Sequence, residues 1–272
     1  MKPNDGEDEL ATGQRTKKGG RISAIRKLIQ RFKSAILIDQ IGHRLNRTER
    51  NGYELARKPA FHYLFKKVPN YARLYDAWTT NNRGNIVDMA RFYMLYLNVQ
   101  QVLNEELPGD IVELGVYRGN SAALLAMLAR EKGRQLYLFD TFTGFDRSDL
   151  IGHDSHRDPE FADTSLEMVK ALVGIENVQY VQGLFPESCR QIHLPEKIVI
   201  AHIDCDLYKP IKAGLEHFYP RVVPGGIVII HDYGSGYWPG ATQAVNEFFA
   251  DKPERPVLIP DHAGTAIIRK AL

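Results

Sequence analysis

The chain has 272 residues, 44% hydrophobic and 25% charged, which is the balance of a folded globular protein rather than a disordered or fibrous one. Lys+Arg 35 against Asp+Glu 33 leave a formal charge of +2, so no global field argues for binding nucleic acid. Two cysteines, Cys189 and Cys205, are too few for a disulfide framework, no apolar run reaches the ~20 residues that span a bilayer, and the polar N-terminus does not read as a secretory signal. A cytoplasmic location with reduced thiols is expected.

Residues 1–20 are rich in Gly, Lys, Asp and Glu and read as a disordered tail. Over 21–45, Ile22, Ile25, Leu28, Ile29, Phe32 and Ile36 recur at helical spacing with Arg and Lys between them. Such a basic amphipathic helix can pack on the main domain or on a second subunit, and it can also lie on an anionic membrane surface. The aromatic stretch 60–82 reads as a cap over a pocket or as docking core, so 21–84 forms an N-terminal helical region. A homo-oligomer is expected from it. The main domain then runs over 85–272, opening with a helix over 85–106 that Pro108-Gly109 ends.

From there strands and helices alternate: strands at 110–116, 135–140, 178–182, 198–204 and 226–231, helices at 121–131, 165–172, 211–218 and 241–249. Alternation of this kind means βαβ units and a mostly parallel sheet covered on both faces. The last two strands, 257–259 and 265–269, are joined by a turn holding Asp261, His262 and Gly264. So short a link permits a hairpin but no parallel crossover. The expected fold is therefore α/β, a doubly wound, mostly parallel seven-stranded sheet closed by a C-terminal antiparallel hairpin. That is the class I methyltransferase pattern, Rossmann-like in outline.

Three motifs carry the chemistry. The first strand-to-helix turn holds Glu113, Gly115, Tyr117, Gly119 and Ser121, as G-x-x-x-G preceded by an acid rather than the G-x-G-x-x-G of dinucleotide folds. An acid there suits a ligand with a positive amino group and repels a pyrophosphate, so S-adenosylmethionine is favoured over NAD. Asp140 ends the second strand where an acid commonly accepts ribose hydroxyls, with Thr141 and Phe142 after it. Gly183 and Phe185 follow the third strand on the adenine side. At the ends of the fourth and fifth strands, Asp204, Asp206, His231 and Asp232 converge, and a divalent cation would relieve so dense an acidic group. Asp204 and Asp232 are the first two candidate ligands and His231 a third, with Asp204 also placed against the cofactor. Oxygen-rich ligation suits Mg²⁺, whereas an imidazole shifts the balance towards Mn²⁺, Fe²⁺ or Zn²⁺.

At these residues the sequence resembles a known family. The stretch from Gly109 to Gly119, Asp204-Cys205-Asp206-Leu207-Tyr208, Pro224-Gly225-Gly226 and His231-Asp232-Tyr233 look like the macrocin O-methyltransferase (TylF/MycF-type) family, from about Asn85 to the C-terminus. The resemblance implies methyl transfer from S-adenosylmethionine to a sugar hydroxyl, assisted by Mg²⁺, with Asp204 and Asp232 as ligands and Asp206 as general base. The family usually has a second Asp where this chain has His231. His231 is accordingly a second candidate for the base. The acceptor is expected to be a small hydroxylated molecule such as a sugar or other natural product, with no nucleic acid partner. Three other readings stay open: a methyltransferase-fold hydroxylase or lyase, a non-catalytic binding subunit, and an NAD-dependent oxidoreductase. The polar loop at 146–163 reads either as a lid over the substrate or as solvated surface.

Overall fold

The computed structural model describes Leu74, Tyr75, Trp78 and residues 88–272. The expected tail at 1–20, the basic helix at 21–45 and most of the aromatic stretch at 60–82 lie outside those residues. Five α-helices and seven strands follow in chain order among the described residues. They are α1 (Met89–Asn104), β1 (Asp110–Leu114), α2 (Asn120–Glu131), β2 (Leu136–Asp140), α3 (Leu166–Val173) and β3 (Val178–Gln182), then β4 (Ile198–Ile203), α4 (Tyr208–Phe218), β5 (Val222–His231), α5 (Pro239–Phe249), β6 (Val257–Ile259) and β7 (Thr265–Arg269).

The strands form one sheet in the order β3-β2-β1-β4-β5-β7-β6. β1 to β5 pair in parallel, while β7 is antiparallel to both β5 and β6. The expected seven-stranded architecture and its closing hairpin are both present. Strand order reverses at β1, between β2 and β4, and that is where open α/β sheets leave a crevice beyond the carboxyl ends of their strands.

Alternation along each strand divides the interior in two. Val112, Leu114, Phe139, Ile203 and Ile230 join a core with Ile211, Leu215 and Phe218 of α4 and Ala244, Val245 and Phe249 of α5. The alternate positions, including Glu113, His202 and His231, fall to the face on which α1 and α2 pack. Each fully buried Leu, Ile or Phe contributes roughly 1.5–3 kcal/mol.

Several boundaries differ from expectation for identifiable reasons. β4 ends at Ile203, so Cys205 lies in the loop beyond and not in the strand; both cysteines are free. α4 starts at Tyr208, ahead of the expected 211, because Pro210 is tolerated in a first turn and the Asp154 carboxylate accepts from Tyr208 N at 2.8 Å. β5 begins at Val222 and runs through Pro224-Gly225-Gly226, where the register against β4 shifts and Gly225 adopts φ 79°.

Candidate active site

The carboxyl ends of β1, β2, β4 and β5 open into one cavity of about 720 Å³. Its floor begins at Gly115, where β1 turns into α2. Gly115 has φ +86°, and a Cβ there would overlap the Asp204 carbonyl oxygen, so only glycine lets β1 and β4 end side by side. Asp204 N donates to Leu114 O at 2.8 Å and locks the two ends together.

Asp140 fastens this turn from the neighbouring strand. Its Oδ2 accepts from Val116 N at 2.6 Å and Tyr117 N at 3.0 Å, and its Oδ1 accepts from Phe142 N at 2.6 Å. Tyr117 and Phe142 both have left-handed backbone, φ 50° and 56°, strain that these charge-assisted hydrogen bonds offset. The Tyr117 hydroxyl donates to Asp163 at 2.7 Å; burial, with Asp163 nearby, pushes it up to about 12. Gly115, Tyr117, Asp140, Thr141, Gly183 and Phe185 all line the cavity.

Four expected cofactor residues are placed elsewhere. Glu113 is fully buried in the sheet and does not line the cavity; its Oε1 lies 2.8 Å from His202 Nδ1, its register partner on β4. Alternation turns Glu113 to the face opposite Leu114, where its register partner His202 holds it within the sheet, short of the strand end. Gly119 is the N-cap of α2 at φ 84° and packs against Val169 and Val173 of α3. Ser121 is buried in the first turn of α2, and the Phe142 ring is buried beside Tyr180.

Beyond the ends of β4 and β5 the structure brings together Asp204, Asp206, His231 and Asp232, as expected. Asp206 and Asp232 have left-handed backbone, φ 60° and 64°, a conformation Asp tolerates better than most residues. His231 Nδ1 lies 3.0 Å from Asp204 Oδ1 and 2.8 Å from Asp232 Oδ2. Burial and Arg91 push the imidazole down, but Asp204 and Asp232 outweigh both and raise it to about 9. Burial pushes the Asp204 carboxyl up, yet Arg91 and His231 hold it well below the usual carboxylate range. Asp206 is raised well above that range by burial and by the charges of Asp232 and Asp204.

The donor set fits a divalent ion. Asp204, His231 and Asp232 each offer an atom within 4.8 Å of the others. Spacings of 2.8 and 3.0 Å between donors are those of neighbouring ligands around an octahedral ion with bonds of about 2.1 Å. The same spacings serve a protonated imidazole hydrogen-bonded to both carboxylates, so an ion would have to displace that proton.

Arg91 was not anticipated from the sequence. It projects from the first turn of α1 onto Asp204 and lies 5.9 Å from the centre of the Trp78 ring. A signal did exist: the helix dipole disfavours a cation in a first turn, so an arginine there calls for an acidic partner.

The loop at 146–163 is tied down on the domain. Asp154 is fully buried and caps α4, and buried Asp149 pairs with Lys209 at 2.6 Å. The Arg157 guanidinium stacks over Tyr237 and Trp238, at 4.1 and 4.2 Å from the ring centres. Phe145 and Phe161 meet Trp238 edge-on and tilted, forming an aromatic wall on the cavity.

Sheet order, hairpin and cavity together define a class I methyltransferase fold. The family model for macrocin-O-methyltransferase (TylF) matches residues 84–266, and the chain belongs to that family. It is 31% identical over 169 residues to the 8-demethyl-8-(2,3-dimethoxy-alpha-L-rhamnosyl)-tetracenomycin-C 4'-O-methyltransferase of Streptomyces olivaceus, a match covering 54% of this chain and 62% of that protein, less than two thirds of its length. It is 28% identical to the mycinamicin III 3''-O-methyltransferase of Micromonospora griseorubida, over 60% of this chain and 69% of the relative. Among solved structures, the O-methyltransferase NovP superposes with a TM-score of 0.59 at 25% identity, covering 67% of this chain and 80% of that one.

Proposed function

We propose that this chain is an S-adenosylmethionine-dependent O-methyltransferase that methylates a hydroxyl of a sugar or other polyhydroxylated natural-product acceptor. The observation that carries the reading is the continuity of one cavity. The Asp140-fastened glycine turn and the Asp204–Asp206–His231–Asp232 cluster share it, in a chain of the macrocin O-methyltransferase family. When bound, S-adenosylmethionine supplies an electrophilic methyl group on a sulfonium sulfur.

Within that cavity Gly115 gives the cofactor close access to backbone, and Asp140 presents its carboxylate to the ribose side. Gly183 and Phe185 flank the adenine. With Glu113 turned away, Asp204, whose backbone N–H is hydrogen-bonded to Leu114 O beside the turn, is the acid assigned to the cofactor's amino group. The aromatic wall of Phe145, Phe161, Tyr237 and Trp238 offers flat apolar surface to the acceptor and excludes water from the methyl transfer. Asp206 accepts the hydroxyl proton as the new C–O bond forms. His231 is less suited to that role, because its Nδ1 is held between two carboxylates. Asp204, His231 and Asp232 would hold a divalent ion, Mg²⁺ or Mn²⁺, whose Lewis acidity would lower the pKa of the acceptor hydroxyl.

Incubation with S-adenosylmethionine and a panel of glycosylated natural products tests this directly. Gain of one methyl group by mass spectrometry, stoichiometric with S-adenosylhomocysteine, is the expected result. Cofactor consumption that yields a hydroxylated or cleaved product would overturn it.

A further inference from the structure

The two ring nitrogens of His231 have different surroundings. Nδ1 faces Asp204 and Asp232, whereas Nε2 is buried and has no hydrogen-bond partner. A second acidic pair approaches the same imidazole. One oxygen of Asp88, one of Asp261 and a ring nitrogen of His231 lie within 4.8 Å of one another. The hairpin delivers Asp261 there, because antiparallel pairing sets His231 opposite Thr265 and the β6–β7 turn folds back over the end of β5.

Asp88 already accepts on both oxygens, from Arg91 N at 3.0 Å and from His262 N at 2.9 Å. Asp261 is half used. Its Oδ2 takes the Thr265 hydroxyl at 2.6 Å, while its Oδ1 is buried without a partner. Two residues with an orphaned polar atom, His231 at Nε2 and Asp261 at Oδ1, therefore belong to one small cluster. A hydrogen bond between those two atoms would satisfy both.

We propose that Asp261 is a positioning residue for His231, its Oδ1 accepting the Nε2 proton so that Nδ1 keeps a lone pair aimed between Asp204 and Asp232. The proposal rests on the reading of that cluster as a divalent-ion site. A neutral imidazole carries a single N–H, and the hydrogen bond made by one nitrogen decides which nitrogen remains a ligand. Metal-ligating histidines usually hand the other N–H to a carboxylate, and losing that carboxylate weakens the ion 10–100-fold as a rule of thumb, or roughly one to two decades. Asp261 would thus let a histidine serve as an ion ligand beside two carboxylates. It touches neither cofactor nor acceptor in this role.

Calorimetric titration of Mn²⁺ into the full-length protein tests it, with wild type, Asp204→Ala, Asp261→Ala and Asp261→Asn. Expected are binding by wild type, loss with Asp204→Ala, and binding weakened by about 10–100-fold with Asp261→Ala. Asp261→Asn should recover most of that loss, because its amide oxygen still accepts the proton. Affinity for S-adenosylhomocysteine should be the same in both Asp261 variants as in wild type. Wild-type Mn²⁺ affinity in Asp261→Ala would overturn the role of Asp261 alone, and a wild type that takes no ion would overturn the ion site together with it. Two-bond ¹H–¹⁵N spectra of histidine-labelled wild type in Mg²⁺ give a readout that needs no variant. His231 protonated on Nε2 is expected, and protonation on Nδ1 instead would overturn the proposal.

Discussion

Asp206 lines the cavity beside Asp204 and Asp232, and burial with those two charges raises its carboxyl well above the usual range. Asp206→Asn keeps shape and removes that basicity. It should lower kcat by about 10²–10⁴-fold in a methyl-transfer assay while calorimetry finds the affinity for S-adenosylhomocysteine unaltered. An unchanged kcat would move the base elsewhere. Glu113 belongs to the opposite category, since its carboxylate touches buried His202 and not the cavity. Glu113→Ala strands a buried imidazole and should cost about 1–3 kcal/mol of unfolding free energy. In the folded protein it should leave S-adenosylhomocysteine affinity nearly untouched. A large affinity loss at constant melting temperature would restore Glu113 to the cofactor. Sequence identified the acid beside the glycine turn but not its direction, because alternation fixes a side chain's face only once the strand end is known, and β1 ends at Leu114 rather than at 116.

The loop at 146–163 is an element whose role the polar pattern leaves open and packing decides. It contains exposed Asp146, His153, His156 and Asp158 but also buried Asp149 and Asp154, and the two kinds are indistinguishable by composition. Asp154 caps α4 in the same pocket where Gly240, in the first turn of α5, leaves room for its carboxylate. Removing it in Asp154→Ala should cost about 1–3 kcal/mol and speed proteolytic cleavage within 146–163, as limited trypsin digestion would show. Cleavage at the wild-type rate would mean that the aromatic wall and Arg157 alone hold the loop. Strands and helices of the main domain were legible because their apolar periods are strong, and a hairpin could be separated from a crossover by turn length alone. Arg91, Lys209 and Arg157 were not, because each pairs with a residue 60 or more positions away in sequence and leaves no local period.

For the whole molecule, the reversal of strand order at β1 concentrates the candidate site at one edge: glycine turn, Asp140, carboxylate–imidazole cluster and aromatic wall all face one cavity of about 720 Å³. The convergence of distant acids at that edge could be foreseen from topology, since neighbouring parallel strands must end side by side. What could not be foreseen is the internal charge balance, in which Arg91 and His231 meet Asp204 and Asp232 directly. No helix among the described residues is long and apolar enough to cross a membrane. The measurement that bears most directly on the central claim is calorimetric binding of S-adenosylhomocysteine to wild type and to Asp140→Ala, with NAD⁺ titrated in parallel. The account predicts saturable binding of S-adenosylhomocysteine, weakened at least about tenfold (roughly 1.4 kcal/mol) by Asp140→Ala, and no heat from NAD⁺. Folded wild-type protein that ignores S-adenosylhomocysteine, or takes up NAD⁺ in its place, would contradict it.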